Sequence, residues 1–263
     1  MTRTLAAWAV EILSTADPDT KVAKTIAAAE AWRSGALEIG RASPPAQPAR
    51  PAQPILLAPR QMPKRSTGPK GRVPLVHALA HIELNAVDLA WDIIARFTDD
   101  MPRAFYDDWV DVAVEEAEHY AALATRLVQM DTVYGALPAH SGLWDAAERT
   151  THDLAARLAV IPMTLEARGL DTTPQTTERL RATGDEATAA ILDVIYADEI
   201  KHLKIGVRWF EFLCAARGKN PHDAYHEIIA LKFPGGPKGP FNMPARNSGG
   251  MHEDYLRPWL QTA

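Results

Sequence analysis

The chain has little of what would tie it to an oxidising compartment or a membrane. Its 263 residues include one cysteine, Cys214, which excludes an internal disulfide and any thiolate-rich zinc or iron–sulfur site. No apolar run approaches the roughly 20 residues that a membrane helix needs. The opening MTRTLAAWAVEIL is interrupted by Glu11 and no small-residue cleavage site follows, so a cytoplasmic protein without a signal peptide is expected. Strand signals are scarce, because the β-branched residues sit inside Ala- and Leu-rich amphipathic runs. A large charge imbalance is also missing. With 28 Lys+Arg against 33 Asp+Glu, the formal charge of −5 argues against the chain as a whole being a polyanion binder.

What is present divides by proline. Eight of the 20 prolines fall in residues 41–70, a stretch expected to be extended because each proline fixes φ and removes a donor. A second Pro/Gly-rich stretch covers residues 233–250. Between the two, helical spacing predicts helices over about 73–98, 102–130, 143–169 and 185–217, and a shorter one over 222–232. Upstream, residues 3–16 and 18–35 are also helical in pattern, with Asp17 and Pro18 as cap and first-turn proline. The expected organisation is an all-α chain: an N-terminal helical arm (1–38), a Pro-rich basic connector (39–72), a four-helix bundle (73–217), and a C-terminal helix with a Gly/Pro-rich tail (218–263).

Two short motifs carry chemistry. EEAEHY places Glu116 and His119 three residues apart, and DEIKHL does the same for Glu199 and His202. At that spacing both side chains leave one helix face. A lone Glu-x-x-His is weak, but these two are related. Glu83 precedes Glu116 by 33 residues, and Glu166 precedes Glu199 by 33. An offset of 83 residues links Glu83 to Glu166, Glu116 to Glu199 and His119 to His202, and also Glu115 to Asp198 and Asp88 to Asp171. This is a doubled helix hairpin. One Glu from each of two helices, with Glu-x-x-His from each of the other two, is the ligand set of di-iron and di-manganese bundles. Four converging glutamates cannot all ionise in a bundle interior, whereas two divalent ions would balance them. Iron is the expected metal, with manganese or a mixed Mn/Fe pair as alternatives. Glu115 and Asp198 either orient the ligand histidines or lie on a wet face.

Other candidates weigh less. His77 and His81 share a helix face, but His81 lies about 200° around the helix from Glu83 and is assigned, with His77, to packing or hydrogen bonding. His140 (in a loop) and His152 (on the third helix) lack partners at the 83-residue offset. Tyr120 and Tyr196 lie near the motifs and read as core aromatics rather than redox phenols. Trp91, Trp109, Trp144 and Trp209 read as inter-helix packing.

AHIELNAVDLAWD, FYDDWVDVAVEEAEHY, YGALPAHSGLWDAA, RLAVIPMTLEARGLD, DEIKHLKIGVRWF and the tail GPFNMPAR together resemble the uncharacterised ferritin-like family known as domain of unknown function 455, over about residues 70–260. The resemblance implies a ferritin-like four-helix bundle with a carboxylate-bridged dinuclear site. The chain is also distantly similar to di-iron tRNA hydroxylases. By analogy with that bundle class, Glu116 and Glu199 bridge while Glu83 and Glu166 are terminal ligands. The expected function is an oxidoreductase activating O2 or peroxide, served by an unidentified small-molecule substrate and an electron donor, as a monomer or homodimer. The alternatives are ferritin-like iron oxidation without an organic substrate, and an RNA-modifying hydroxylase. The last draws on residues 41–72, where Arg41, Arg50, Arg60, Lys64, Arg65, Lys70 and Arg72 stand in a stretch without acids that runs from Ile39 to Ile82. The competing view of that stretch is a solvated linker pairing with acidic groups of the bundle. The stretch and the tail are also long enough to serve as a wall or lid of a substrate cavity.

Overall fold

Side-chain caps set where the helices begin. In this computed structural model, which describes residues 3–260, Thr4 Oγ1 accepts the Ala7 N–H at 3.2 Å to open α1 (Leu5–Leu13). Asp17 Oδ1 accepts the Thr20 N–H at 2.9 Å to open α2 (Pro18–Arg33), with Pro18 in the first turn where its missing N–H costs nothing. The fold is all-α; among the described residues the extended pairing is a single isolated bridge. No described helix is long and apolar enough to cross a membrane. The chain forms two compact units, one ending at Trp144 and one beginning at Asp145.

In the first unit, α3 (Pro69–Arg96) packs along α4 (Arg103–Gln129), with α1 against α3 and α2 against α4. The short α1 buries Leu5, Ala6, Ala9, Ile12 and Leu13, enough apolar surface to dock a nine-residue helix that would not hold alone in water. Trp91 Nε1 donates to Thr25 Oγ1 at 3.0 Å, and Trp32 Nε1 to Asp107 Oδ1 at 2.8 Å, so the polar edges of these two buried indoles are satisfied. The Pro-rich connector is an ordered strap. Ala49 N–H donates to Leu13 O at 2.7 Å, Arg96 Nη2 to Pro45 O at 3.2 Å, and Leu56 bridges Ala139. Its helical content is one turn at Pro59–Gln61, and α3 begins at Pro69, earlier than the expected 73.

After α5 (Gly142–Glu148), the second unit holds α6 (Leu154–Val160), a π-helical segment (Ile161–Glu166), α7 (Ala167–Ala182), α8 (Glu186–Ala216), α9 (Pro221–Lys232), α10 (Met243–Ser248) and α11 (Glu253–Leu260). The expected helix over 143–169 is corrected at both ends. It breaks after α5 because Thr150 Oγ1 turns back onto Ala147 O at 2.8 Å, Arg157 Nη2 donates to the same carbonyl at 3.0 Å, and Asp153 restarts the helix by accepting the Ala155 N–H at 3.0 Å. His152 therefore lies in the turn, not on a helix. At the other end the helix runs through Gly169 and Pro174. The Leu170 carbonyl, which Pro174 cannot satisfy, is taken by Asn242 Nδ2 at 3.0 Å.

The π segment has an identifiable cause and support. Pro162 cannot donate to the turn before it, and the Ala167 N–H bonds the Pro162 carbonyl five residues back. Thr164 Oγ1 donates to Ala159 O at 2.7 Å, leaving the Tyr225 hydroxyl, 2.7 Å away, to donate to Thr164. On α8, Gly206 lets the proline ring approach: a Cβ there would lie 2.8 Å from Pro162 Cβ. Its repeat counterpart, Leu123, is a fully buried side chain. Gly206→Ala is therefore expected to lose about 1–3 kcal/mol through overpacking, measured by urea unfolding; an unchanged midpoint would show that the proline contact is slack.

Candidate metal centre

Hydrophobic packing of α3 on α4 determines where the first motif points. The stripes that bury Leu84, Val87 and Trp91 on α3 and Ala113, Ala117 and Tyr120 on α4 carry Glu83, Glu116 and His119 inward with them. All three are at most 3% exposed, and each offers a ligand atom within 4.8 Å of the others. His119 Nδ1 stands 3.5 Å from Glu116 Oε2 and 3.7 Å from Glu83 Oε2. These separations are long for hydrogen bonds. They are what ~3–4 Å spacing around one ion requires when each ligand atom sits ~2.1 Å from the metal.

The electrostatics agree with the geometry. Burial, with the Glu116 charge added to it, pushes the Glu83 carboxyl up to about 8. Burial alone would pull His119 down, but Glu116 and Glu83 outweigh it and hold the imidazole well above its usual value. Glu83 Oε2 is buried and accepts no hydrogen bond, a cost of several kcal/mol for a carboxylate unless a cation meets it. The donor set, two carboxylates and an imidazole in a dry interior, fits a divalent metal ion.

The second motif is less enclosed: Glu166 and Glu199 are half-buried. α8 carries buried His202, with Nδ1 3.9 Å from Glu199 Oε2. Glu166 is the last residue of the π segment, which packs on α8. Such one-turn π insertions recur at functional sites because they re-aim a side chain without breaking the helix.

The remaining candidates take structural roles. His77 Nε2 accepts the Gly135 N–H at 2.9 Å and its ring stacks on Tyr134, with centroids 5.4 Å apart. His81 contacts the Tyr134 hydroxyl through Nδ1 at 2.8 Å and His140 O through Nε2 at 3.2 Å. A carbonyl can only accept, so Nε2 carries the proton and Nδ1 accepts from Tyr134. Burial first, then Arg50, lowers His81 to about 4, which keeps that tautomer neutral. His140 Nδ1 accepts the Gly142 N–H at 3.2 Å. Tyr196 Oη accepts from Asn242 Nδ2 at 2.9 Å, and Tyr120 packs edge-on to Tyr134. Asp198 pairs with Lys201 on its own helix at 2.6 Å. Tyr134 itself lies in a loop with no period to mark it, and sequence reasoning passed over it.

The family model described as "Protein of unknown function (DUF455)" matches residues 14–257. An uncharacterized protein of Haemophilus influenzae is 38% identical over 221 residues, covering 80% of this chain and 75% of the relative. No solved structure matches.

Because His77 serves a loop and not the Glu/His cluster, His77→Ala is expected to leave metal content unchanged. It should cost about 1–3 kcal/mol by orphaning the Gly135 N–H. Metal analysis beside a thermal melt checks both, and a fall in bound metal would place His77 in the site.

Proposed function

We propose that this chain, which belongs to the DUF455 family, binds two divalent metal ions, iron in the first instance, and uses them as an oxidoreductase acting on O2 or peroxide. The observation that carries this is the buried Glu83, Glu116 and His119 cluster together with its exact repetition in sequence as Glu166, Glu199 and His202, 83 residues on. Two such half-sets make the dinuclear ligand complement of ferritin-like bundles. Glu83, Glu116 and His119 would serve as ligands from the first half-set, and Glu166, Glu199 and His202 from the second. Bound there, iron would supply the electrons for reducing O2 or peroxide. The chain's own part is to hold Glu83, Glu116 and His119 together out of water, where a dication would take the place of the protons that burial otherwise favours. Four carboxylates facing two dications would balance in charge.

Iron oxidation and storage without an organic substrate is the alternative use of the same ligands. Particle size separates the two, since storage calls for a large hollow assembly and the enzyme reading for a monomer or dimer. A second reading, an RNA-modifying hydroxylase, is favoured by one observation. Arg60, Lys64 and Arg65 of the strap and Lys70 at the start of α3 are exposed, and among the described residues no ion pair engages them. Salt-dependent binding of bulk tRNA that is weakened by replacing these four with Gln would support it, and salt-independent or absent binding would remove it.

After anaerobic loading with ferrous iron, the protein is expected to retain close to two metals per chain. Glu116→Ala and Glu199→Ala should each lose at least one. Zero metal in the wild type, or unchanged stoichiometry in both variants, would overturn the assignment.

A further inference from the structure

The 83-residue offset reaches one more pair. Asp88 and Asp171 stand five residues after Glu83 and Glu166, and both are buried in ion pairs. Asp88 pairs with Lys21 of α2, each side chain 2% exposed. Asp171 pairs with Arg246 of α10, each 1% exposed, through Nε at 2.9 Å and Nη2 at 2.7 Å. One cation comes from the segment before the first repeat and the other from the segment after the second. The two accessory segments are unrelated in sequence, yet each delivers one buried cation to the same repeat position.

Neighbouring bonds concentrate on the same stretch of helix. In the first unit, Arg50 Nη2 of the strap donates to Asn85 Oδ1 at 2.8 Å, and Asn85 Nδ2 donates to His81 O at 2.6 Å. In the second, Arg246 Nη2 also donates to Ala167 O at 3.2 Å. Asn242 donates its backbone N–H to Asp171 Oδ1 at 2.8 Å and its side chain to Leu170 O. Relative to the ligand glutamate, these anchors fall between two residues before it and five after. Asp88 and Asp171 project about 140° around the helix from the glutamates, so each helix is gripped on a side away from its ligand. Rotation by one residue step would swing a glutamate about 100° and lift it about 1.5 Å, out of any metal shell.

Stability alone does not explain charge at these positions, because well-packed apolar pairs commonly serve a buried site as well or better. What a buried ion pair adds is a directional partner from another segment, hence a defined register; Arg168 Nη1, 3.3 Å from Asp171 Oδ2, comes from the same helix and cannot set it. We propose that Lys21 and Arg246 are positioning residues that fix the rotation and height of the Glu83 and Glu166 helices for metal binding. This rests on the dinuclear reading above. The arm and the tail are then working parts of the site, one for each half-set.

The test is anaerobic Co2+ titration by equilibrium dialysis and visible absorption, on wild type, Lys21→Met, Arg246→Met and Glu116→Ala, with helicity checked by circular dichroism. Each Met variant is expected to bind one of two Co2+ about 10–100-fold more weakly with a shifted ligand-field band, and Lys21→Arg should restore part of both. If Lys21→Met does not fold, Lys21→Gln with Asp88→Asn leaves no unpaired buried charge and is expected to show the same weakening. Wild-type affinity and spectrum in folded Lys21 and Arg246 variants, with Glu116→Ala impaired, would overturn the positioning role alone. Absence of Co2+ binding by the wild type would instead remove the metal reading on which it stands.

Discussion

Everything in the first unit is arranged around two carboxylates that have no business being buried together. Glu83 and Glu116 are almost fully enclosed, and His119 faces both from 3.7 and 3.5 Å. Burial keeps water from solvating them. Desolvation and mutual repulsion raise Glu83 toward neutrality. That cost falls on the first hairpin, whose carboxylates are the enclosed ones, and in the proposed reading a divalent cation is the partner whose charge and ligand preference match it.

The parts outside the hairpins follow from that demand. A ligand helix has to be held in register as well as packed, and apolar packing is tolerant of small slides. The strap, arm and tail place directional bonds on α3 and α7: Lys21 on Asp88, Arg50 on Asn85, Arg246 on Asp171 and Asn242 on Leu170. In the case of Asp88, burial raises the carboxyl even with Lys21 opposing it. The GPFNMPAR tail, which looks like loose Gly/Pro sequence, is thereby wired to the helix that follows Glu166.

How much of this was legible in the sequence depended on periodicity. α4 and α8 fall within a residue of the predicted 102–130 and 185–217 ends because long amphipathic runs with Pro and Gly stops leave little latitude. The family and the all-α class were legible too. The 143–169 helix was misplaced because its breaks do not depend on the residues that usually mark them. Thr150 and Asp153 interrupt it by side-chain capture of backbone groups, while Pro174 is tolerated through a hydrogen bond from Asn242, 68 residues away. No local pattern encodes that distant partner. The Asp88/Asp171 correspondence was visible as an offset, but its partners were not, since Lys21 and Arg246 belong to no repeat. The basic strap was legible as charge. Its inward use of Arg50, and the exposure of Arg60, Lys64, Arg65 and Lys70, was not.

The central claim is that one chain brings two metals close enough to act together. Electron paramagnetic resonance of the iron-loaded, half-reduced protein tests it most directly. The account predicts a mixed-valent signal from two spin-coupled irons, lost in Glu116→Ala. A spectrum showing isolated ferric ions alone, at any loading, would contradict it.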